Sequence, residues 1–228
     1  MADLPIELSD AAQADRLSRA VDIEGKIPRA LDSLGQLVER DVVLIDGGSG
    51  ALARRLVDLG ARLTVLERDE RLAGLSDGLA DLAADGRVRV AGGRARSTGL
   101  EPASADAIVA AWSAFRGRDA AELAEAERVL RPGGRLLVLH DYGRDDVSRF
   151  YRADRPEYGA WSHRGGPFLA AGFRIRVVHC WWTFDSTDEA ASLLRAAFGP
   201  EAVDGHPTKP RLSYNVAIYH RTKGEPAP

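Results

Sequence analysis

The fold is decided by the stretch Leu44-Ile45-Asp46-Gly47-Gly48-Ser49-Gly50, which leads from an apolar run into a turn rich in glycine. The run from Val42 to Ile45 is typical of a short, buried parallel strand. A helix is predicted after the turn, from about Ala51 to Leu59, and Gly60 is its predicted C-terminal cap. Glycines let the backbone approach a ligand closely, and the start of a helix presents unpaired N–H groups. This order of strand, turn and helix therefore predicts a ligand site at the turn.

Strands and helices alternate along the rest of the chain. Further strands are predicted at Arg62 to Leu66, Val88 to Val90, Ala107 to Ala111, Arg135 to His140, Phe173 to Cys180 and Leu212 to His220. Helices are predicted from Ala120 to Leu130 and from Thr187 to Phe198. This alternation predicts the α/β class, with a largely parallel sheet covered by helices on both faces.

The residues before Asp41 have a helical pattern of apolar side chains. Residues 10–38 are expected to form helices divided at Pro28, because proline is tolerated best near a helix start. We expect residues 1–40 to form an N-terminal helical cap on a domain that spans residues 41–228, with both parts in one compact unit.

Composition and charge narrow the classes of function. The 228 residues are 45% hydrophobic and 29% charged, and the formal net charge is −3. Such a balance disfavours nucleic acid as the main partner, because nucleic-acid-binding domains usually carry a basic excess. Cys180 is the only cysteine, which excludes an intrachain disulfide and an all-cysteine metal site. Neither a secretory signal nor an apolar run of about 18 residues is present, so we expect a cytoplasmic protein without a membrane partner.

Glu67 ends the predicted second strand, where a carboxylate can accept hydrogen bonds from both hydroxyls of a ribose. Together with the glycine turn it indicates a cofactor that contains adenosine. The segment Gly48 to Ala53 also fits the G-x-G-x-x-A pattern, which leaves NAD and FAD as alternatives. Asp46 disfavours them, because a carboxylate at the turn repels a pyrophosphate and suits a cationic amino-acid cofactor.

Two later segments resemble those of a known family. The stretch Val129-Leu130-Arg131-Pro132-Gly133-Gly134 resembles the helix–turn–strand before the fifth strand of class I S-adenosylmethionine-dependent methyltransferases, and Phe168 to Phe173 is similar to their approach to the sixth strand. The resemblance covers about Asp41 to Val178. It implies a seven-stranded, mostly parallel Rossmann-like sheet with an antiparallel last strand, S-adenosyl-L-methionine as cofactor, and methyl transfer to an acceptor that we expect to be a small molecule.

The same resemblance implies where the cofactor binds. The expected cofactor residues are Asp46, Gly47, Gly48, Ser49, Gly50, Glu67, Arg68, Arg94, Ala95 and Trp112. Two positions depart from the family pattern: Leu52 replaces a third glycine, and Arg94 replaces an acid that accepts a hydrogen bond from the adenine amine. Arginine has no acceptor. A catalytically silent binding module with this fold is therefore an alternative, and an NAD- or FAD-binding oxidoreductase is another.

His140, Asp141 and Tyr142 follow the predicted fifth strand and are the candidate catalytic residues, because ligands of open α/β sheets bind outside the carboxyl ends of the strands. His140 or Asp141 can serve as a general base for a hydroxyl acceptor. The alternative is that His140 caps the strand and Asp141 starts a turn. No metal site is expected, since acidic pairs in loops are more often turn formers. Finally, we expect an exposed edge at the last strand, which would allow self-association.

Overall fold

The structure is a computed structural model that describes residues 6, 8, 10–115, 119–151, 158–204 and 208–224. Its helices are α1 (Ala11–Ala20), α2 (Lys26–Gly35), α3 (Ala51–Asp58), α4 (Asp69–Gly78), α5 (Ala80–Ala84), α6 (Ala120–Val129), α7 (Pro167–Ala170), α8 (Thr187–Phe198) and α9 (Pro200–Asp204). Its strands are β1 (Asp41–Ile45), β2 (Arg62–Glu67), β3 (Val88–Gly92), β4 (Ala105–Ala111), β5 (Leu130–Asp141), β6 (Arg174–Thr183) and β7 (Arg211–Thr222). A single-turn 3₁₀ helix spans Val147–Phe150.

The strands form one seven-stranded sheet in the order β3-β2-β1-β4-β5-β7-β6. The first five strands in this order are parallel, and β7 is antiparallel to both of its neighbours. The predicted α/β class, with seven mostly parallel strands and an antiparallel last strand, is confirmed. The expected free edge at the last strand is wrong, because β7 lies between β5 and β6 and is paired on both sides.

Successive residues of β1 face opposite sides of the sheet, as the two-residue period of a strand requires. Leu44 belongs to the core under α1 to α4, together with Leu56 of α3. Ile45 belongs to the second core, which it shares with Phe168 of α7 and Val129 of α6. The continuous apolar run of the strand thus reflects burial on both faces.

The N-terminal helices break at residues 21–25 and not at Pro28, which corrects the predicted division. Pro28 is the third residue of α2, where it removes no intrahelical hydrogen bond. Asp22 has a φ of +53° and accepts hydrogen bonds from the backbone N–H groups of Lys26 (2.9 Å) and Ile27 (2.8 Å). The backbone N–H of Asp22 donates to the carbonyl of Trp181 in β6 (2.8 Å). The break is therefore a carboxylate-capped helix start that is docked on the sheet.

Residues 131–134 form a bulge inside β5. Leu130 pairs with Ala105 and Arg135 pairs with Ala107, so the segment is inserted opposite a single residue of β4. Gly133 has a φ of +75°, which glycine adopts without strain. Among the described residues, no helix is long and apolar enough to cross a membrane.

Candidate active site

The carboxyl ends of β1, β2, β4 and β5 lie at one edge of the sheet and present the predicted functional residues there. Asp46 follows β1, Glu67 ends β2, Trp112 follows β4 and Asp141 ends β5. This edge is where open α/β sheets bind their ligands. The sequence separation between these residues is bridged by the parallel pairing of the strands.

Asp46 is buried, with 8% of its surface exposed, and adopts a left-handed backbone with a φ of +58°. Its Oδ2 accepts a hydrogen bond from the backbone N–H of Ala114 (3.0 Å). This bond joins the end of β1 to the segment that follows β4. Aspartate is one of the few residues that adopt this conformation readily, so the sequence stabilises the turn at the position where it also supplies a charge.

Glu67 is almost fully buried at 1% exposure, and two backbone groups hold its carboxylate in place. Oε2 accepts from the N–H of Gly48 (3.0 Å), and Oε1 accepts from the N–H of Arg68 (2.9 Å). A carboxylate has about four lone-pair sites. Each oxygen can therefore accept a further hydrogen bond, such as one from a hydroxyl, in addition to the backbone N–H that it already binds.

The glycines of the turn serve packing as well as backbone conformation. A Cβ on Gly47 would lie 2.3 Å from Cγ1 of Val65 and 2.7 Å from Cδ2 of Leu75. A Cβ on Gly50 would lie 2.9 Å from Cδ2 of Leu79, and the φ of Gly50 is +87°. These two glycines let α4 pack against the turn. Gly48, with a φ of +62°, and the exposed Ser49 form the outer part of the turn.

Arg94 and Ala95 lie beside Glu67, because the backbone N–H of Gly93 donates to the Glu67 carbonyl (3.1 Å). Arg94 and Ser97 bond through their backbones in both directions and close a tight turn. Arg94 is exposed and Ala95 is buried. The structure therefore brings these predicted residues to the same edge as Glu67, on the side of β3.

Arg68 is half-buried at the start of α4. Its Nη1 lies 3.8 Å from Oε1 of Glu70, and its buried Nε has no hydrogen-bond partner among the described residues. The side chain thus offers a buried donor beside the carboxyl end of β2.

His140 is buried, with 2% of its surface exposed, and its Nε2 lies 3.1 Å from the carbonyl oxygen of Phe115. A carbonyl only accepts, so Nε2 carries the hydrogen. The rings of Trp161 and His140 meet edge to face at 4.8 Å, and Phe168 lies 6.1 Å away. His140 is therefore enclosed by aromatic side chains of the other core.

Asp141 is the centre of a buried hydrogen-bond network. Its Oδ1 accepts from the indole Nε1 of Trp112 (2.8 Å) and from the hydroxyl of Tyr214. Tyr214 is fully buried, and burial raises its pKa well above the ordinary value, so it remains a neutral donor. Tyr142 is half-buried, and its backbone N–H donates to the Asn215 carbonyl (2.9 Å).

Sequence reasoning missed Tyr214 and Phe115 as partners of the candidate catalytic residues. Tyr214 lies 73 positions from Asp141 and Phe115 lies 25 positions from His140. Neither belongs to a local motif. The pairing of β7 with β5 supplies the first contact, and no sequence signal in that strand pointed to it.

The acids that follow Asp141 hold backbone in place. Asp145 accepts from the N–H groups of Asn215 (2.8 Å) and Ser148 (2.7 Å), and burial raises its pKa above the ordinary value. Asp146 accepts from both the N–H and the hydroxyl of Ser213. These bonds fasten the loop after β5 to β7.

The residues at this edge fit a cationic adenosine cofactor. Asp46 and Glu67 place two carboxylates at the ends of adjacent strands, a donor set that attracts ammonium and sulfonium charges and repels a pyrophosphate. The buried Nε of Arg68 adds an unpaired donor at the side expected for the base.

Comparison with known proteins agrees with this geometry. A family model described as a methyltransferase domain matches residues 45–138. A curated protein, the ubiquinone/menaquinone biosynthesis C-methyltransferase UbiE of Rhizobium leguminosarum bv. trifolii (strain WSM2304), is 34% identical over 131 residues, which are 55% of this chain and 49% of the relative. The chain thus spans about half the length of that relative.

Solved structures share the fold at low sequence identity. A SAM-dependent methyltransferase from Aquifex aeolicus has a TM-score of 0.57 and 18% identity, covering 92% of this chain and 95% of that protein. The YcgJ protein of Bacillus subtilis has a TM-score of 0.54 and 16% identity, covering 89% and 100%. The [4+2]-cyclase SpnF has a TM-score of 0.55 and 18% identity, covering 87% and 81%. The methyltransferase-domain match over residues 45–138, the curated relative and the sheet order together support a class I, Rossmann-like S-adenosylmethionine-dependent methyltransferase, and the cofactor that they imply is S-adenosylmethionine.

Proposed function

We propose that the chain transfers a methyl group from S-adenosylmethionine to a small-molecule acceptor. The observation that carries the proposal is the pair of carboxylates, Asp46 and Glu67, held by backbone N–H groups at the ends of adjacent strands. When bound, the cofactor supplies an electrophilic methyl group on a sulfonium centre. The curated relative is a methyltransferase by name, which supports the same reaction class.

In this proposal, different residues of the chain bind the ribose, the adenine and the amino-acid part of the cofactor. Glu67 accepts hydrogen bonds from the ribose hydroxyls with its remaining lone pairs. Arg68 and Ala95 border the adenine. Asp46 stabilises the positive charge of the amino-acid part. The amino end of α3, after Ser49 and Gly50, stabilises its carboxylate through the helix dipole.

The acceptor side is formed by Trp112 and the residues that end β5. Methyl transfer from a sulfonium depends more on in-line positioning than on proton transfer. Asp141 acts through Trp112, whose indole it fixes beside the cofactor edge. His140, whose Nε2 lies 3.1 Å from the carbonyl oxygen of Phe115, is the candidate base for a hydroxyl acceptor. Tyr142, which is only half-buried, contacts the acceptor directly.

The acceptor is an apolar small molecule in this proposal. A cavity of about 20 Å³ lies between the N-terminal helices, the start of α3 and Trp112. Its lining is mostly apolar, with Val21, Ile27 and Leu52, and also includes Ser18 and Arg55. This volume suits about one water molecule, so an acceptor that enters here displaces the N-terminal helices from Trp112. The curated relative is a C-methyltransferase of ubiquinone and menaquinone biosynthesis by name, which supports methylation of a carbon atom of a small molecule.

A second candidate is a domain of this fold that does not transfer methyl groups. Leu52 and Arg94 favour it, since each departs from the family pattern at the cofactor turn. One structural neighbour is a [4+2]-cyclase by name, so the fold is compatible with other chemistry. An NAD- or FAD-dependent oxidoreductase is disfavoured, because Asp46 would face the pyrophosphate.

Isothermal titration with S-adenosylhomocysteine tests the cofactor site. We expect saturable binding by the wild type and at least about tenfold weaker binding by Asp46→Ala and Glu67→Ala, each of which removes an ionised hydrogen-bond acceptor. Asp77→Asn is the matched control, because Asp77 is exposed on α4, away from the cofactor edge. Absence of binding at millimolar ligand, or tighter binding of NAD or FAD, contradicts the proposal.

A screen of acceptors with labelled cofactor separates the two candidates. Labelled product from any apolar ring compound supports methyl transfer, whereas cofactor binding without labelled product from any acceptor supports the silent module. We also propose a cytoplasmic location and no nucleic-acid partner, in keeping with the net charge of −3. Cell fractionation and an electrophoretic shift assay test these two statements.

A further inference from the structure

A groove crosses the sheet at the amino ends of β1, β2 and β3. Its volume is about 640 Å³, which lies in the range of sites for small organic ligands. The cofactor edge lies at the opposite ends of the same strands. Val43 is the lining residue of β1 nearest to that edge, and it lies three residues before Asp46, or about 10 Å along a parallel strand.

The groove exists because the connection between β3 and β4 contains no helix. Residues 93–104, all of which are described, form turns and extended chain. Two side chains of α6 fasten this connection to that helix. Glu125 accepts from the backbone N–H of Thr98 (2.8 Å), and Arg128 donates to the carbonyl of Leu100 (2.7 Å). The face of β1 to β3 is thereby left open at its amino end.

The strand register places an apolar, a hydroxyl and a cationic side chain in one row across this face. Val43 pairs with Thr64, and Thr64 pairs with Arg89. Residues at paired positions of neighbouring parallel strands point to the same face of the sheet. All three residues line the groove, and Leu100 closes it from the side of the connection.

Among the arginines that line the groove, Arg89 is the one without an ion-pair partner in the described residues. Arg62, at the start of the next strand, donates through Nε to Oδ1 of Asp41 (2.8 Å), and Arg131 also pairs with Asp41 (2.9 Å). Arg87 donates to the carbonyl of Val57 and lies 3.8 Å from Asp58. No carboxylate of the described residues pairs with Arg89.

We propose that the groove binds an organic anion with an apolar body, apart from the methyl-transfer site. The anionic group pairs with Arg89 and accepts a hydrogen bond from the hydroxyl of Thr64, while the apolar body covers the half-buried Leu100. Arginine suits this role, because its planar guanidinium matches a carboxylate or phosphate with two parallel hydrogen bonds.

The aromatic sulfonate 8-anilinonaphthalene-1-sulfonate is a probe of this chemical class whose emission reports burial. We expect it to bind the folded wild type with blue-shifted emission, both with and without saturating S-adenosylhomocysteine. Arg89→Glu should weaken binding about tenfold or more, because it replaces an attractive charge by a repulsive one. Arg164→Glu is the matched control, since Arg164 is exposed in the loop before α7, outside the groove.

Thr64→Phe is a second variant that fills the groove without changing charge, and phenylalanine is well accepted in strands. Circular dichroism checks that each variant is folded. Loss of probe binding in Arg89→Glu and Thr64→Phe, with binding unchanged in Arg164→Glu, supports the proposal. No binding by the wild type, equal binding by all variants, or displacement of the probe by S-adenosylhomocysteine would each overturn it.

Discussion

The indole N–H of Trp112 donates to Oδ1 of Asp141 at 2.8 Å, which ties the residue after β4 to the last residue of β5. Tyr214 donates its hydroxyl to the same oxygen from β7. Trp112 has a φ of +46°, a backbone conformation that is costly for a bulky side chain. The hydrogen bond helps to hold this conformation, so the position of the indole depends on the acid.

Replacement of Asp141 by alanine should lower the free energy of unfolding by about 2–4 kcal/mol, because it removes the acceptor of two buried donors. Tyr214→Phe should lower it by about 1 kcal/mol, since Asp141 then keeps the bond from Trp112. Urea unfolding followed by tryptophan fluorescence measures both values. Asp85→Ala, at an exposed position, should change the stability little. Equal stability of Asp141→Ala and Asp85→Ala would contradict the role of the network.

Two glycines of the cofactor region should respond to alanine in opposite directions. Gly47→Ala should destabilise the protein by about 1–3 kcal/mol, because its Cβ would lie 2.3 Å from Val65 and 2.7 Å from Leu75. Gly74→Ala should stabilise it by up to about 1 kcal/mol, because Gly74 lies within α4 and a Cβ there meets nothing within 4 Å. Thermal unfolding of the pair decides this prediction, and destabilisation by both changes would show it to be wrong.

Glu125 should give a stability contribution that disappears in acid. Its pKa is lowered from 4.5 to about 2, first by the hydrogen bond from Arg128 and also by Thr98. Because the folded value is the lower one, the contribution is present above 4.5 and is lost as the pH falls towards about 2. At pH 7, Glu125→Gln should cost about 1–2 kcal/mol after allowance for solvent screening. Urea midpoints of both proteins should converge in acid, and a gap that persists at low pH would rule out the charge as its cause.

The contribution of Arg55 to the free energy of unfolding should increase as the pH rises. Its Nη1 lies 3.6 Å from Oδ2 of Asp22, and Nη2 donates to the carbonyl of Val21 (3.1 Å). Burial raises the pKa of Asp22 above 3.8, although Lys26, Ile27 and Arg55 oppose this. A raised folded value favours the protonated form, so stability from this group is present at low pH and is lost as the pH rises through that value.

Arg55→Ala removes the cation that compensates the ionised form of Asp22. Its difference in unfolding free energy from the wild type should therefore be small below pH 3.8 and reach about 1–2 kcal/mol at neutral pH. Arg40→Ala is the control, because Arg40 is exposed and no carboxylate of the described residues pairs with it. A gap for Arg55→Ala that does not grow with pH would exclude this explanation.

Local sequence patterns predicted the elements whose burial is regular. The apolar run before Asp46 predicted β1. The helix α8 has the predicted bounds, Thr187–Phe198, because its N-cap Ser186 is a clear start signal and the following Gly199 is a clear stop signal. α4 was missed: in Asp69–Gly78 only Leu75 is buried, so no helical period of apolar residues is present. That helix depends on packing against the glycine turn, a contact distant in sequence.

The sequence predicted which residues lie at the strand ends of the candidate site. It did not predict the hydrogen bonds between them. Parallel alternation placed Asp46, Glu67 and Asp141 at one edge, as the structure has them. Their cofactor and catalytic roles stay predictions. The hydrogen bonds of Asp141 could not be predicted, because Tyr214 reaches it only when β7 inserts beside β5.

The insertion of β7 between β5 and β6 also orders events during synthesis. In the described sheet, β6 neighbours only β7. When the ribosome has synthesised Arg174–Thr183 but not yet β7, no strand is available to pair with β6. Chains emerge at about 5–20 residues per second, and β6 therefore waits for Arg211–Thr222 to leave the exit tunnel. The Tyr214 bond to Asp141 also requires β7, so the acceptor side of the site cannot be complete before that strand has emerged, whereas the cofactor strands can pair earlier.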